Sequence, residues 1–416
     1  MAAKNDRIER GTSAYRRANL ALFAAGFVTF STLYTVQPLL PLLVREFAIA
    51  PATASLALSV TTFALAWTLP VSGSLSDAIG RRLLMGTTLI LTALLTLAAI
   101  CATTFPELLL LRLVQGVVIA GVPAVAMAYL NEEMSPRAMG AAMGLYIAGN
   151  ACGGMAGRVF TAILADHLPW RHAIAAVGGL ALLLCLLFWV TIPPSRHFQR
   201  HPVRIKPLTL SLLQHLREPG LLCLFTLAFL LMGGFVTLYN YATFHLLAPP
   251  YALSQSQVAL IFLAYAFGAF GSSIMGGLVE RIGRPRILYT ALAIMAGGLL
   301  LTLIPPLGAV ISGIVIFTIG FFGAHAVAST WVAARTATAR AQASSLYLLG
   351  YYCGSSISGT GGGLIWSLWG WPGVVGLIAG LLGVAGLVML RLTSLPEPLA
   401  ATSGPFDSPP CGPAAS

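Results

Sequence analysis

Long apolar runs separated by short polar turns recur along the whole chain. Twelve of them have the length of a membrane span or close to it: 19–43, 53–75, 83–103, 107–130, 139–164, 172–192, 220–246, 255–278, 287–304, 308–332, 341–365 and 373–391. About 20 apolar residues cross a hydrocarbon core as an α-helix. Backbone groups in lipid must be satisfied within their own segment, which predicts helices, and the ~10-residue alternating segments of a membrane barrel are missing from the pattern. The pattern therefore predicts an all-α membrane protein with 12 transmembrane helices.

Composition sharpens this. Of 416 residues, 57% are hydrophobic and 8% charged, with a mean hydropathy of +0.87; an ordinary soluble domain carries roughly 25% charged residues. That excludes a cytosolic enzyme, a secreted disulfide scaffold and a disordered regulator. The net charge of +11 would suggest a nucleic-acid partner in a soluble protein, but its distribution says otherwise. With the N-terminus inside, 19 of the 23 Lys and Arg fall on one side of the membrane, Arg45 and Arg171 fall on the other, and Arg112 and Arg158 lie within spans. This bias predicts that both termini are cytoplasmic. The charge is then topological and no nucleic acid is expected. The N-terminal charged lead runs into an apolar stretch too long for a signal peptide, without a small-residue cleavage site. The six cysteines have no metal-site spacing and read as small apolar residues, so no metal and no cofactor is expected.

The spans divide six and six. A basic, Pro- and His-rich connector at 193–219 separates an N-terminal six-helix bundle, 19–192, from a C-terminal one, 220–392. Residues 1–18 form a cytoplasmic tail, and 393–416, rich in Pro, Ser and Ala, are expected to be disordered. The halves repeat each other. Gly73-x-x-x-Asp77-x-x-Gly80-Arg81-Arg82 follows the second span, and Gly276-x-x-x-Glu280-x-x-Gly283-Arg284 follows the eighth, at an offset of 203. Leu145-Tyr146-x-x-Gly149-x-x-x-Gly153 in the fifth span is echoed by Leu346-Tyr347-x-x-Gly350-x-x-x-Gly354 in the eleventh, at an offset of 201. Parallel six-span repeats are the arrangement of a rocking transporter whose substrate binds between the halves.

On these motifs the chain resembles the major facilitator superfamily over about residues 15–392. The Gly73–Arg82 loop matches that superfamily's signature between spans 2 and 3, with a weaker copy at Glu280. Arg112-x-x-Gln115-Gly116 in span 4 resembles a motif linked to proton coupling. Gly140-x8-Gly149-x3-Gly153-Gly154-x2-Gly157-Arg158 resembles the antiporter motif of drug:proton exporters, with Gly154 where a Pro is expected and Arg158 where a Gly is. The run Gly153–Arg158 and the stretch Gln342–Tyr347 look most like the exporter branch that includes acriflavine-sensitivity proteins. The resemblance implies two pseudo-symmetric six-helix bundles with a cavity lined by spans 1 and 7.

Each constellation has a functional and a structural reading. Asp77, with Arg81 one turn away and its echo at Glu280 and Arg284, suits a conformational latch that closes the cytoplasmic side by bonding helix-end N–H groups; otherwise it is a solvated turn. Gly149, Gly153 and Gly157 lie on one helix face and predict close backbone approach. The expected neighbour is a helix of the other half, with Gly350 and Gly354 as the symmetric contact. All 12 acids fall outside mid-membrane. The deep ionisable groups are Arg112, Arg158 and His325. An intramembrane Arg usually faces a cavity, so Arg112 and Arg158 either bind substrate or sense protons, or else bond helix-end carbonyls or Asp166. His325 in span 10 suits proton exchange near neutrality, or it is neutral and bonded to a carbonyl. Tyr34 and Gln37 in span 1, and Tyr239, Asn240 and Tyr241 in span 7, suit a planar or amphipathic ligand, or form an interfacial aromatic belt, the belt fitting Tyr241 better than Tyr34.

The sequence thus predicts a secondary active transporter working by alternating access, most simply proton-coupled efflux of small amphipathic or toxic compounds. The alternative is an organic-anion or metabolite carrier using Arg112 and Arg158; a non-transporting receptor is a third reading. The expected partners are a small-molecule substrate, the proton and the lipid bilayer. A monomer in a bacterial inner membrane is expected. No phosphate loop or nucleophile–base set points to an enzyme.

Overall fold

The structure, a computed structural model, describes residues 7–198, 200, 205–336 and 339–396. Helices account for nearly all of it. In chain order they are α1 (Ser13–Tyr34), α2 (Leu40–Phe47), α3 (Pro51–Ile79), α4 (Arg81–Ala98), α5 (Phe105–Ile119), α6 (Pro123–Glu133), α7 (Pro136–His167), α8 (Trp170–Thr191), α9 (Ile205–Arg217), α10 (Pro219–Leu247), α11 (Gln255–Ala259), α12 (Ala264–Ile282), α13 (Arg284–Leu301), α14 (Leu307–Arg335) and α15 (Arg340–Ser394). Proline opens α3, α6, α7 and α10, where its fixed φ fits and its missing N–H costs nothing. Thr104 and Glu107 form a capping box on α5. The tight turns before α4 and α13 pass through Gly80 at φ 113° and Gly283 at φ 88°, a region closed to most side chains; this is why the repeated loop keeps its second glycine.

Among the described residues ten helical segments are long and apolar enough to cross a membrane. The last of them, Gln342–Ser394, has the length of two passes and breaks at Gly370 (φ 57°), just before Pro372. α7 has the length but is diluted by six glycines. The first span begins at Ser13, six residues earlier than its hydropathy suggested, because its first turn is polar. Large apolar side chains cover the outer surface, Leu183, Val190 and Phe270 being 65%, 74% and 69% exposed. In water such a surface would aggregate; in lipid it is matched.

α1 packs on α7 and α8, α3 on α5, and α4 on α8; α10 packs on α15, and α12 and α13 on α14. The two groups, α1–α8 and α10–α15, meet mainly through α3 against α15 and α7 against α11. We call the side that carries residues 7–12, 80–82, 134–137 and 283–286 the basic face, and the opposite side the far face. The N-terminal segment is tied down on the basic face: Ile8 N–H donates to Glu133 O at 2.8 Å and Ser135 N–H to Ile8 O at 3.1 Å. Within the connector, residues 205–217 form α9, whose His215 lies 3.3 Å from Ala339 O. The tail read as disordered lies, from residue 397 on, outside the described residues.

The glycine ladder has a different partner from the one expected. A Cβ at Gly149, Gly153 or Gly157 would meet the backbone of Phe23, Phe27 or Ser31, all on α1. Gly350 and Gly354 meet the backbone of Phe225 and Phe229 on α10. Each ladder therefore cements two helices of its own group instead of joining the groups. The repeat is preserved because the same close helix pair occurs twice.

Candidate functional site

The centre of the molecule is organised by a break in the first span. Pro38 and Pro41 cannot continue α1, and residues 37–39 form a single 3-10 turn before α2. A helix end leaves carbonyls without partners. Arg112 takes them: Nη1 donates to Thr32 O at 3.1 Å and Nη2 to Leu33 O at 2.7 Å, while Nε donates to Ala57 O on α3 at 2.9 Å. Nη1 also donates to Gln115 Oε1 at 2.6 Å, and Gln115 Nε2 reaches Thr96 Oγ1 at 2.8 Å. Gly116 lets α5 press on the backbone of Thr61. Of the two readings of Arg112, the structure displays the bonding to helix-end carbonyls. Arg112 and Gln115 together knot α1, α3, α4 and α5.

Arg158 is held differently. Its guanidinium lies over the ring of Tyr34, 3.7 Å from the centroid, and 4.8 Å from that of Tyr265. Nε donates to Gln37 Oε1 at 2.6 Å and Nη1 to Gly154 O at 2.6 Å. Asp166 does not pair with it. That carboxylate accepts from Gln255 N–H and Ser256 N–H, each at 3.2 Å, and so caps α11. Among the described residues no acid faces Arg158. The side chain is 2% exposed.

Gln37 and Asn240 meet. Gln37 Nε2 donates to Asn240 Oδ1 at 2.8 Å, and both are fully buried. Tyr239 points elsewhere, its hydroxyl 2.8 Å from Thr318 Oγ1. Tyr241 is buried, with its hydroxyl on Gly359 O at 2.7 Å, so the interfacial-belt reading of Tyr241 is wrong: its span crosses the protein interior. From Tyr265 an aromatic file runs through Phe235 (5.4 Å), Phe321 (3.8 Å) and His325 (6.1 Å) to Tyr347. His325 Nδ1 is 3.0 Å from the Tyr347 hydroxyl, a phenol rather than the carbonyl expected. Phe235, Tyr265 and Phe321 were not singled out from the sequence, and Tyr347 only as part of the repeat in span 11; apolar spans are full of aromatics, and only packing shows which ones converge.

Among the described residues, the hydrogen bonds between the two groups gather toward the far face. Besides Gln37–Asn240 and the Asp166 cap, Thr62 Oγ1 lies 2.8 Å from Ser356 Oγ, and Thr360 Oγ1 donates to Ser59 Oγ at 2.9 Å. Near the basic face the charged loop bonds within its own group. Arg81 Nη2 reaches Asp77 Oδ1 at 2.6 Å and Glu132 Oε1 at 2.7 Å, and Arg81 Nη1 bonds Ser76. Arg82 Nη2 donates to Trp189 O at 3.3 Å. Asp77 thus bonds its own turn and not a neighbouring helix end. Gly73 and Gly276 have open space beside them. The second loop does not copy this triad: Glu280 is exposed and forms no ion pair among the described residues, and Arg284 Nε is buried without a partner. In that group the pair is Arg335 with Glu218, at 3.1 Å. Glu132 was missed because nothing in its local sequence marks it; it is brought to Arg81 by α6.

A family model described as Major Facilitator Superfamily matches residues 22–323 and 235–415. The uncharacterized MFS-type transporter YybF of Bacillus subtilis (strain 168) is 46% identical over 378 residues, covering 91% of this chain and 94% of that protein. The inner membrane transport protein YnfM of Escherichia coli (strain K12) is 45% identical, with 93% of each chain covered. The crystal structure of the nucleoside transporter NupG superposes with a TM-score of 0.75 at 14% identity, over 91% of this chain and 99% of that one; at that identity it speaks for the fold alone. The chain belongs to the Major Facilitator Superfamily, a family of membrane transport proteins and not of enzymes.

Proposed function

We propose that the protein is a secondary active carrier with twelve membrane passes, working by alternating access as a monomer, and that this conformation is closed on the far face. One observation carries the reading: the polar contacts between the α1–α8 and α10–α15 groups gather toward the far face, while the charged loop at the basic face stays within one group. The positive-inside rule places the basic face, and both chain ends, in the cytoplasm, so the conformation is inward-facing. The bacterial relatives, one of them named an inner membrane protein, support a cytoplasmic-membrane location. The Asp77–Arg81–Glu132 triad is the latch in its released state: Arg81 is parked on Glu132 until the basic face closes.

The cargo in this reading is a small amphipathic organic compound, taken from the cytoplasm and released outside in exchange for protons. The aromatic file between Arg158 and His325 supports it, since ring faces suit planar apolar bodies. His325 is the proton carrier in this scheme, at the inner end of the file.

A far-face lock tests it. In a variant lacking native cysteines, Ser59→Cys and Thr360→Cys are to be oxidised in proteoliposomes. Transport should stop, and resume on reduction. Undiminished transport with the crosslink complete would sink the alternating-access reading.

A further inference from the structure

Two arginines are buried in the spans, and their surroundings divide their roles. Arg112 has four hydrogen bonds, three of them to backbone carbonyls. A guanidinium offers five N–H groups, so Arg112 has one to spare and no room for a ligand anion. Arg158 donates to Gln37 Oε1 and Gly154 O, and the Tyr34 hydroxyl also interacts with its guanidinium. Its other N–H groups find no carbonyl or carboxylate among the described residues; they face the rings of Tyr34, Tyr265 and, at 5.5 Å, Phe262. Ring faces attract a cation but do not neutralise it. A charge in low dielectric with no counter-ion is a standing cost, and residues of this kind within spans usually mark a substrate path.

Further unpartnered donors lie close by. Gln37 must turn its Oε1 to Arg158, which leaves its Nε2 as donor to Asn240. Asn240 must then accept through Oδ1, and its Nδ2 is left buried with no partner. That amide orientation is fixed by the donor-only arginine and needs no assumption about flips. The Tyr265 hydroxyl is likewise buried and unpartnered, on a ring that touches the guanidinium. Gly154 lies against the group: a Cβ there would stand 3.3 Å from Arg158 Nη1. The site therefore holds a cation with spare N–H groups, an unpartnered phenol and flat aromatic walls, and it lacks an acid. An organic cation would meet repulsion there, and a neutral arene would leave the guanidinium uncompensated.

We propose that Arg158 receives the carboxylate of a planar organic anion whose ring lies against Tyr34 and Tyr265, the anion supplying the counter-charge that the protein omits. The proposal rests on the carrier reading above and names its substrate class. A carboxylate matches a guanidinium in a bidentate pair, and it also out-competes the neutral Gln37 Oε1 as acceptor. Loading would thereby loosen the Gln37–Asn240 link between the groups.

The probes are 2-naphthoate, 2-naphthamide and 2-naphthylmethylammonium, which share a ring system and differ in charge. Binding is read by thermal shift and by intrinsic fluorescence on the full chain in a neutral detergent. The naphthoate should raise the melting temperature, with the amide and the ammonium at least 10-fold weaker. Arg158→Gln should weaken naphthoate binding at least 10-fold, and Gly154→Val, which keeps the charge but crowds the guanidinium against Tyr34, should do the same. Equal binding of the amide or ammonium, no shift with any of the three, or naphthoate affinity within threefold of wild type in a folded Arg158→Gln protein would each overturn the proposal. The wild-type panel decides the matter even if both variants misfold. Its failure leaves the far-face crosslink result untouched, so the carrier reading stands or falls separately.

Discussion

Gln37 and Asn240 are joined by a hydrogen bond of 2.8 Å between residues 203 positions apart, one at the break of the first span and the other in α10. The same offset relates the two charged loops. The pair is therefore made by equivalent spans of the two repeats, and it ties them together where they close the far face. A single neutral hydrogen bond is worth about 1 kcal/mol net, roughly a fivefold change in a two-state population, so the link can bias the closed state without locking it.

Asn240→Leu, which removes this link and leaves the Arg158–Gln37 bond in place, should shift the population toward the outward-open form by roughly fivefold on that arithmetic. A thiol-reactive label on an introduced cysteine at Ser59 would react faster in the variant. An unchanged labelling rate would mean that the bond does not bias closure.

Asp77→Asn should lower transport at least 10-fold with normal membrane abundance, because Arg81 would lose one of its two acidic partners and the triad its balance. Glu132→Gln should do likewise, since the same guanidinium holds both acids. Wild-type rates in either variant at equal abundance would remove the triad from the transport cycle.

Arg112→Gln should act on stability first. It strips the arginine from the helix-end carbonyls of Thr32 and Leu33, and an unsatisfied buried carbonyl costs about 1–3 kcal/mol. The expected outcome is a marked loss of folded protein in detergent, in contrast with a folded Arg158→Gln. Equal stability of the two variants would contradict the division of roles.

Gly153→Leu should also be a stability variant. Its side chain would strike the backbone of Phe27 on α1, and backbone cannot swing aside as a flexible side chain can. Overpacking of this kind costs about 1–3 kcal/mol or more. A lower melting temperature, with α1 and α7 separated, is expected; a variant as stable as wild type that fails only to alternate would restore the contact between the groups that the sequence suggested.

His325→Gln should retain substrate–substrate exchange while flux driven by a pH gradient falls. Loss of both would point to a positioning role through Tyr347, and pH-driven flux at the wild-type rate would take the histidine out of coupling.

Much of this was legible in the sequence because lipid imposes simple rules. Span lengths, the basic bias of one face and the repeated loop with Gly80 and Gly283 all follow from short-range pattern. Arg112 and Arg158 could be flagged as deep charges, and bonding to helix-end carbonyls was one of the open readings for both; the structure displays it for Arg112. What stayed hidden depends on which helices touch. The ladder at Gly149, Gly153 and Gly157 announces close approach but does not name α1 as the neighbour. Glu132 is one of several acids near a helix end until α6 carries it to Arg81. Asp166 looked like a partner for Arg158 by depth, yet the exposed start of α11 offers it two backbone N–H groups instead. The burial of Tyr241 was misjudged because an aromatic near a span end looks the same whether its helix faces lipid or protein.

Paired distances across the two faces test the central claim most directly. Spin labels at Ile79 and Arg340 report on the basic face, and labels at Thr53 and Leu368 on the far face. Alternating access predicts opposite changes as substrate or a pH gradient is added: the 79–340 distance shortens while the 53–368 distance lengthens. Distances that move together, or that stay fixed in liposomes that are actively transporting, would contradict it.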